Sequence, residues 1–374
     1  MRKRFVGAVA LTAACSLALA GCGGGSSGGS SSPAAGEGSK APAASGKVGV
    51  ILPDSASSAR WETADRQYLG EAFTSAGVEF DIQNAGGDKA KFQTLADGFI
   101  SQGVKALMIV NLDSETGAAV VKKATAAGIP TIDYDRLTLG GGSAYYVSFD
   151  NVAVGTKIGE GLVKCLKDAG KTSGAVVELN GSPTDNNATL FKQGYHDAIT
   201  KAGYTVADSQ AVADWDNTKA VTVFQQMFTK LGGKFVGVAA ANDGLGGSVI
   251  SVLKQNGLAG KVPVTGQDAT DEGLQRVLLG TQCMTVYKAI KKEAEAGAKL
   301  AIALAQGDKA GADALATGKT ADSVSGKDVP SVLLEPQGIH KENVKDVISD
   351  GFTTKDKVCT TAELKAACTA AGIS

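Results

Sequence analysis

The chain has 374 residues, with 37 Lys and Arg against 38 Asp and Glu, two His and six Cys. A net charge of −1 with no basic patch in the body of the chain argues against nucleic acid as a partner. Two His, His196 and His340, leave little material for a Ser-His-Asp triad or a His-rich zinc site, and no G-x-x-x-x-G-K-[ST] loop is present to cradle a nucleotide phosphate.

Arg2, Lys3 and Arg4 open the chain, and an apolar run of about 15 residues follows, shorter than the about 20 that a membrane-spanning helix needs. A charged start, a short apolar core and small residues describe a secretory signal peptide over 1–21. It ends Leu19-Ala20-Gly21-Cys22, which resembles the bacterial lipobox. Cys22 is therefore expected to carry a lipid and to anchor an extracytoplasmic protein to the cell membrane; the alternative is an ordinary secretory signal with a chance Cys. Loss of 1–21 removes Arg2, Lys3 and Arg4, so 34 basic residues face 38 acidic ones and the net charge becomes −4. Residues 22–46 are almost wholly Gly, Ser, Ala and Pro and read as a flexible linker.

From residue 47 onward, short apolar runs alternate with amphipathic segments. Strands are expected at 48–52, 78–83, 106–110 and 130–134, with helices at 64–76, 90–102 and 117–127 between them. Gly77, Gly103 and Gly128 stop those helices. The pattern restarts with strand-like 145–148 and a helix at 154–166. It continues through strands 174–179, 206–211, 235–240 and 262–266 and helices 190–202, 218–231 and 246–255. Strands spaced by helices of this length indicate βαβ units and parallel sheets. The fold expected is α/β: two doubly wound lobes joined by crossover strands. The N-terminal lobe would hold 47–150 plus about 286–330 and the C-terminal lobe 151–285 plus about 331–374. A segment at 284–288 would cross back to the first lobe, a helix near 291–306 would complete that lobe, and 332–334 would be the last crossing strand.

Ligands of open parallel sheets bind beyond the carboxyl ends of the strands. Polar and aromatic clusters follow seven of the expected strands: Ser58-Ala59-Arg60-Trp61, Tyr134-Asp135-Arg136, Pro183 to Asn187, Asp214-Trp215-Asp216, Ala241-Asn242-Asp243, Gln267-Asp268 and Tyr287-Lys288. Carboxylates accept hydroxyl protons, Arg and Lys donate, Asn does both, and Trp offers a flat apolar face to a pyranose ring. Together they suit a small neutral sugar in a cleft between the lobes. Each element also has a plainer reading. Asp or Asn after a strand can simply cap the next helix, either Trp can be packing, and Arg136 beside Asp135 can be a surface pair. A pair of Asp residues would also suit a glycosidase, but export with an anchor and linker fits capture better than hydrolysis.

On these motifs the chain resembles the periplasmic sugar-binding proteins of the type I fold, and most of all the D-xylose-binding proteins. The resemblance rests on Ala59-Arg60-Trp61, Asp133-Tyr134-Asp135-Arg136, Val147 to Asn151, Gly181 to Ala188, Ala241-Asn242-Asp243, Gly266-Gln267-Asp268-Ala269 and Thr285-Val286-Tyr287-Lys288. It implies that Arg60, Asp135 and Arg136 hydrogen-bond the sugar from the first lobe and Lys288 from the crossover. Asp185, Asn187, Asn242 and Asp268 would do so from the second lobe, with Trp61 and Trp215 sandwiching the ring. It implies transport without catalysis, cofactor or metal: a monomer that delivers D-xylose to an ABC permease with its ATPase. Glucose, galactose and arabinose are the alternative ligands, and a sensor presenting sugar to a receptor the alternative role. Segment 54–58 departs from the more charged pattern of the family, and the Cys-containing C-terminus lies outside it. In an extracytoplasmic setting Cys359 and Cys368 are a possible disulfide. Cys165 reads as a buried small apolar residue, and Cys283 is left unassigned.

Overall fold

The structure, a computed structural model, describes residues 46–373. The expected signal peptide, Cys22 with its expected lipid, and all but the last residue of the expected linker lie outside the described residues. The strands in chain order are β1 (Val48–Leu52), β2 (Phe80–Asn84), β3 (Ala106–Ile109), β4 (Thr131–Tyr134), β5 (Tyr145–Phe149), β6 (Ala175–Asn180), β7 (Thr205–Ala211), β8 (Gly237–Ala240), β9 (Thr285–Tyr287), β10 (Gly318–Asp322), β11 (Lys327–Leu334) and β12 (Gln337–Ile339).

Seven of them form the first sheet, in the order β10-β11-β5-β4-β3-β1-β2, parallel throughout except for the β10–β11 hairpin. Every residue of β1, β3, β4 and β5 is buried, as expected of strands covered on both faces. Leu69 and Phe73 of the helix Arg66–Ser75 and Ala294 to Ala301 of the helix Ile290–Ala305 cover one face. Phe92 and Phe99 of the helix Lys89–Ser101 and Val120 and Val121 of the helix Ser114–Ala126 cover the other.

The second lobe is built on the parallel sheet β7-β6-β8. Against it the helices Asn151–Asp168 and Asn186–Lys201 approach each other at backbone distance. A Cβ at Gly155 would stand 2.1 Å from the Phe191 carbonyl oxygen, and one at Gly194 2.3 Å from that of Val152.

The architecture is the expected one, with local differences. The strand read at 262–266 shrinks to a single parallel bridge, Val264 to Val238, because Pro263 has no N–H to give a ladder. The segment read at 284–288 is β9, which pairs antiparallel with β12 and joins neither large sheet. The strand read at 332–334 is the end of a longer β11, parallel to β5, and its hairpin partner β10 was not anticipated. A third apolar cluster gathers Ala269, Leu274, Val277 and Leu278 with Tyr287, Ile339 and the C-terminal Val344, Val347, Val358, Leu364 and Ile373. Cys359 and Cys368 are joined within it, with Cα atoms 6.2 Å apart. Cys165, expected as an isolated apolar residue, is instead disulfide-bonded to Cys283, Cα to Cα 6.2 Å.

Candidate binding cleft

Between the two lobes lies a small cavity, with about 30 Å³ open to a water-sized molecule. All ten residues singled out for sugar binding line it: Arg60, Trp61, Asp135, Arg136, Asp185, Asn187, Trp215, Asn242, Asp268 and Lys288. Ser57, Ser58, Phe191 and Gln267 complete the lining.

The first-lobe wall begins at a single π-helical turn, Trp61–Asp65. Such turns insert one extra residue and are frequent at functional sites. Here the turn lets the Asp65 carboxylate reach back to Arg60, accepting from Nε at 2.8 Å and from Nη2 at 2.7 Å. Arg60 Nη1 donates to Asp135 Oδ2 at 2.8 Å, and Nη2 also donates to Glu293 Oε2 at 2.5 Å. All four side chains are buried. Burial alone would lower the Arg60 pKa, but Asp65, Glu293 and Asp135 together hold it well above its usual value. Burial opposes ionisation of Asp135, yet Arg60, Lys288 and Arg136 keep its pKa below the ordinary carboxylate value. Glu293 goes the other way. Burial pushes it up to about 8 despite Arg60, and Asp135 and Asp65 add to the rise.

The Trp61 ring is held flat against the wall. Its Nε1 donates to Ser57 Oγ at 3.1 Å, and the guanidinium carbons of Arg60 and Arg136 lie 4.5 and 5.5 Å from its centroid. Across the cleft, Trp215 Nε1 donates to Asp185 Oδ2 at 3.1 Å, and Phe191 meets the Trp215 ring edge-on at 6.4 Å. Gly181 leaves the space under that ring, since a Cβ there would fall 2.0 Å from it.

Within the cleft the lobes meet through polar side chains. Asn187 Nδ2 donates to the Asp135 carbonyl at 2.9 Å and to its Oδ1 at 3.1 Å, and Arg136 pairs with Asp185 at 3.1 Å. Lys288 pairs with Asp268 at 3.2 Å and lies 3.9 Å from Asp135.

The plainer readings also hold in part. Asp185 Oδ1 accepts from the Asn187 backbone and Asn242 Oδ1 from Leu245, so both cap helices while lining the cavity. Asp216 only caps, and Asp214 pairs with Lys219 in solvent. Asp243 turns away to accept from Gln282 and Thr270. Among the described residues, the non-glycine positions with positive φ are Asp135, Asp214, Trp215, Asp268 and Ala269. Each lines the cleft or is next in chain to a residue that does, and strain of this kind gathers at ligand sites.

Asp65, Glu293, Ser57, Phe191 and Gln267 were not singled out as site residues. Phe191 carried a signal, lying one helical turn from Asn187, and Gln267 another, beside Asp268. Asp65 and Glu293 carried none, because an acid within a helical pattern ordinarily faces solvent.

The lining sets three carboxylates (Asp135, Asp185, Asp268) against three cations (Arg60, Arg136, Lys288), with one indole from each lobe. It offers donors and acceptors in balance, suited to an uncharged polyhydroxyl ligand. This fold and cleft are those of a two-lobed solute-binding protein.

The chain belongs to the periplasmic binding protein family, whose domain model matches residues 48–309. It is 34% identical to the D-xylose-binding periplasmic protein of Escherichia coli (strain K12) over 311 residues, 82% of this chain and 90% of that protein. It is 31% identical to the multiple sugar-binding periplasmic receptor ChvE of Rhizobium radiobacter over 325 residues, 82% of this chain and 90% of that protein. Among solved structures, an ABC transporter solute-binding protein from Clostridium phytofermentans with bound β-D-glucose superposes with a TM-score of 0.74 at 27% identity, covering 83% of this chain and 99% of that one. These relatives bind solutes and are not enzymes, and this chain is likewise a binding protein.

Proposed function

We propose that the protein captures a neutral monosaccharide, D-xylose first among them, and delivers it to an ABC permease. The observation that carries this is the charge-balanced lining of Asp, Arg and Lys, to which each lobe adds one Trp side chain, Trp61 and Trp215. Arg60, Asp135, Arg136, Asp185, Asn187, Asn242, Asp268 and Lys288 are the hydrogen-bonding residues, and Trp61 and Trp215 the stacking pair. D-Xylose is favoured over other aldoses by the E. coli and Haemophilus influenzae relatives named for it, at 34% and 33% identity. A glucose-binding role is the second reading, favoured by the glucose-bound structure at TM-score 0.74.

In the same proposal the protein works as a monomer outside the cytoplasm. The signal peptide 1–21 is removed, Cys22 carries the lipid, and 22–46 tethers the two lobes. The N-terminal lobe is 47–150 plus about 286–330, and the C-terminal lobe 151–285 plus about 331–374. The test is a thermal-shift and calorimetric screen of residues 47–374 against D-xylose, L-arabinose, D-glucose and D-galactose, with the recovered sugar checked for change. Xylose at a hundredfold excess over its Kd should add about 2.7 kcal/mol of apparent stability and return unaltered. No response to any aldose, or turnover of the sugar, would sink the reading.

A further inference from the structure

Residues 344–373 gather into a unit that grips the chain beside two ligand-lining residues. The helices Val344–Ser349, Lys355–Val358 and Ala362–Ala370, closed by Cys359–Cys368, pack on the helix Asp271–Leu279. Their apolar cluster includes two residues from the cleft's edge, Ala269 and Tyr287. These are the chain neighbours of Asp268 and Lys288, which pair at 3.2 Å in the cavity wall.

The grip is polar as well as apolar. Tyr287 Oη donates to Asp350 Oδ2 at 2.6 Å, and its ring lies 5.3 Å from Phe352. Gln275 Nε2 donates to the Lys357 carbonyl at 3.0 Å, and the Thr353 hydroxyl bonds Asp271. The turn being held needs holding. Asp268 and Ala269 have φ of 96° and 49°, a backbone that costs free energy unless its surroundings fix it. Asp268 N donates to the Val286 carbonyl at 2.8 Å, and Ala269 N to Thr285 Oγ1 at 3.2 Å, so the strained turn and β9 move as one piece.

We propose that this disulfide-closed C-terminal cap, acting through Tyr287 and the helix Asp271–Leu279, positions the Asp268–Lys288 pair for the ligand and so sets affinity as well as stability. The inference rests on the sugar-binding reading above. It follows from geometry, because a binding constellation loses affinity once its supporting groups let it drift by about 0.5 Å. Apart from Phe352, which packs on the second lobe's core, the cap's apolar side chains lie outside the cores of the two lobes, so loosening it need not unfold them.

The test compares the parent with Cys359→Ser/Cys368→Ser and with Tyr287→Phe, by calorimetry and stopped-flow at a temperature where circular dichroism shows all of them folded. The double variant should bind D-xylose about tenfold more weakly, chiefly through faster dissociation, and Tyr287→Phe should shift in the same direction by less. In an Asp268→Asn background the same Cys changes should cost less than about threefold, because coupled residues are not additive. A cap that only stabilises would lower Tm and leave Kd alone, or give equal losses in both backgrounds, and either result overturns the proposal. If the double variant does not fold, Tyr287→Phe and Phe352→Leu carry the comparison under the same criteria. Hydrogen exchange without sugar separates this from failure of the sugar-binding reading. Exchange at 267–269 and 285–288 should quicken in the variants whether or not xylose binds the parent, and unchanged exchange there also overturns the proposal.

Discussion

Asp268 shows what a single side chain does at this cleft. Its Oδ1 takes the Lys288 ammonium and the Gln267 amide, and its backbone is held in a conformation most residues avoid. Asp268→Ala should weaken sugar binding about tenfold to a hundredfold, since a hydroxyl stranded in a closed site costs about 1–3 kcal/mol. The fold should be affected much less, with circular dichroism as the control beside calorimetric titration. Trp215→Ala should also weaken binding, through lost stacking. Gly181→Ala is a sharper test of the same indole, because the new methyl would occupy the space of the Trp215 ring and push it into the cavity. It should weaken sugar binding about as much as Trp215→Ala does, since the displaced ring loses its place against the ligand and its Nε1 contact with Asp185. Full affinity in Gly181→Ala would mean that the ring is not a platform for the ligand.

At the scale of elements, most of the parallel strands were legible because they are short apolar runs followed by a helix that a Gly ends, and their polar ends fell at the cleft because parallel strands all point the same way. That is why Arg60, Asp135 and Asn187, separated by up to 127 positions in the chain (60 to 187), could be gathered from sequence alone. The elements that escaped have other physics. β10 (Gly318–Asp322) contains a single apolar side chain, Ala321, and so shows no apolar run, and β12 is three residues long with its partner β9 50 positions earlier in the chain (287 to 337). Asp65 owes its place to a π-helical turn that no periodicity announces. Cys165 and Cys283 sit in a helix and before a strand, 118 positions apart, and only the fold brings them together. Closing a loop of that size is worth about 4–5 kcal/mol in the chain-entropy account. Cys165→Ser/Cys283→Ser should therefore lower Tm by several degrees or more in calorimetry, and reductant should lower the parent's Tm toward the variant's. Equal Tm values for parent and variant would show that the bridge adds nothing to the second lobe.

Across the whole molecule, three buried carboxyls set a pH dependence that the exposed acids do not. Burial pushes Asp133 up to about 7, Asp243 to about 6 and Glu293 to about 8, from ordinary values of 3.8, 3.8 and 4.5. Asp133 accepts from the Thr138 amide and hydroxyl, which pull its pKa down, while Asp322 nearby adds to the rise. Between the ordinary and the raised value, the folded chain binds more protons than the unfolded one, so stability falls as pH rises. Their contribution is fully present below about pH 4 and is lost as pH climbs through 6, 7 and 8. Carboxylates held low oppose this at the acid end. Asp135 beside Arg60, Asp113 beside Lys89 and Asp322 with Ser325 stabilise above their ordinary values and lose that as pH falls. The parent should therefore be most stable at mildly acidic pH and lose Tm steadily toward pH 8. Glu293→Gln imitates the protonated carboxyl without adding a charge, and its amide oxygen can still accept from Arg60. It should flatten the fall between about pH 5 and 8, while Asp133→Asn should flatten it between about pH 4 and 7. Tm measured from pH 4.5 to 8.5 in buffers of matched ionic strength decides the matter. If both variants keep the parent's slope, these two carboxyls are already ionised in the folded protein at neutral pH, and the buried Arg60 cluster carries one more negative charge than this account gives it.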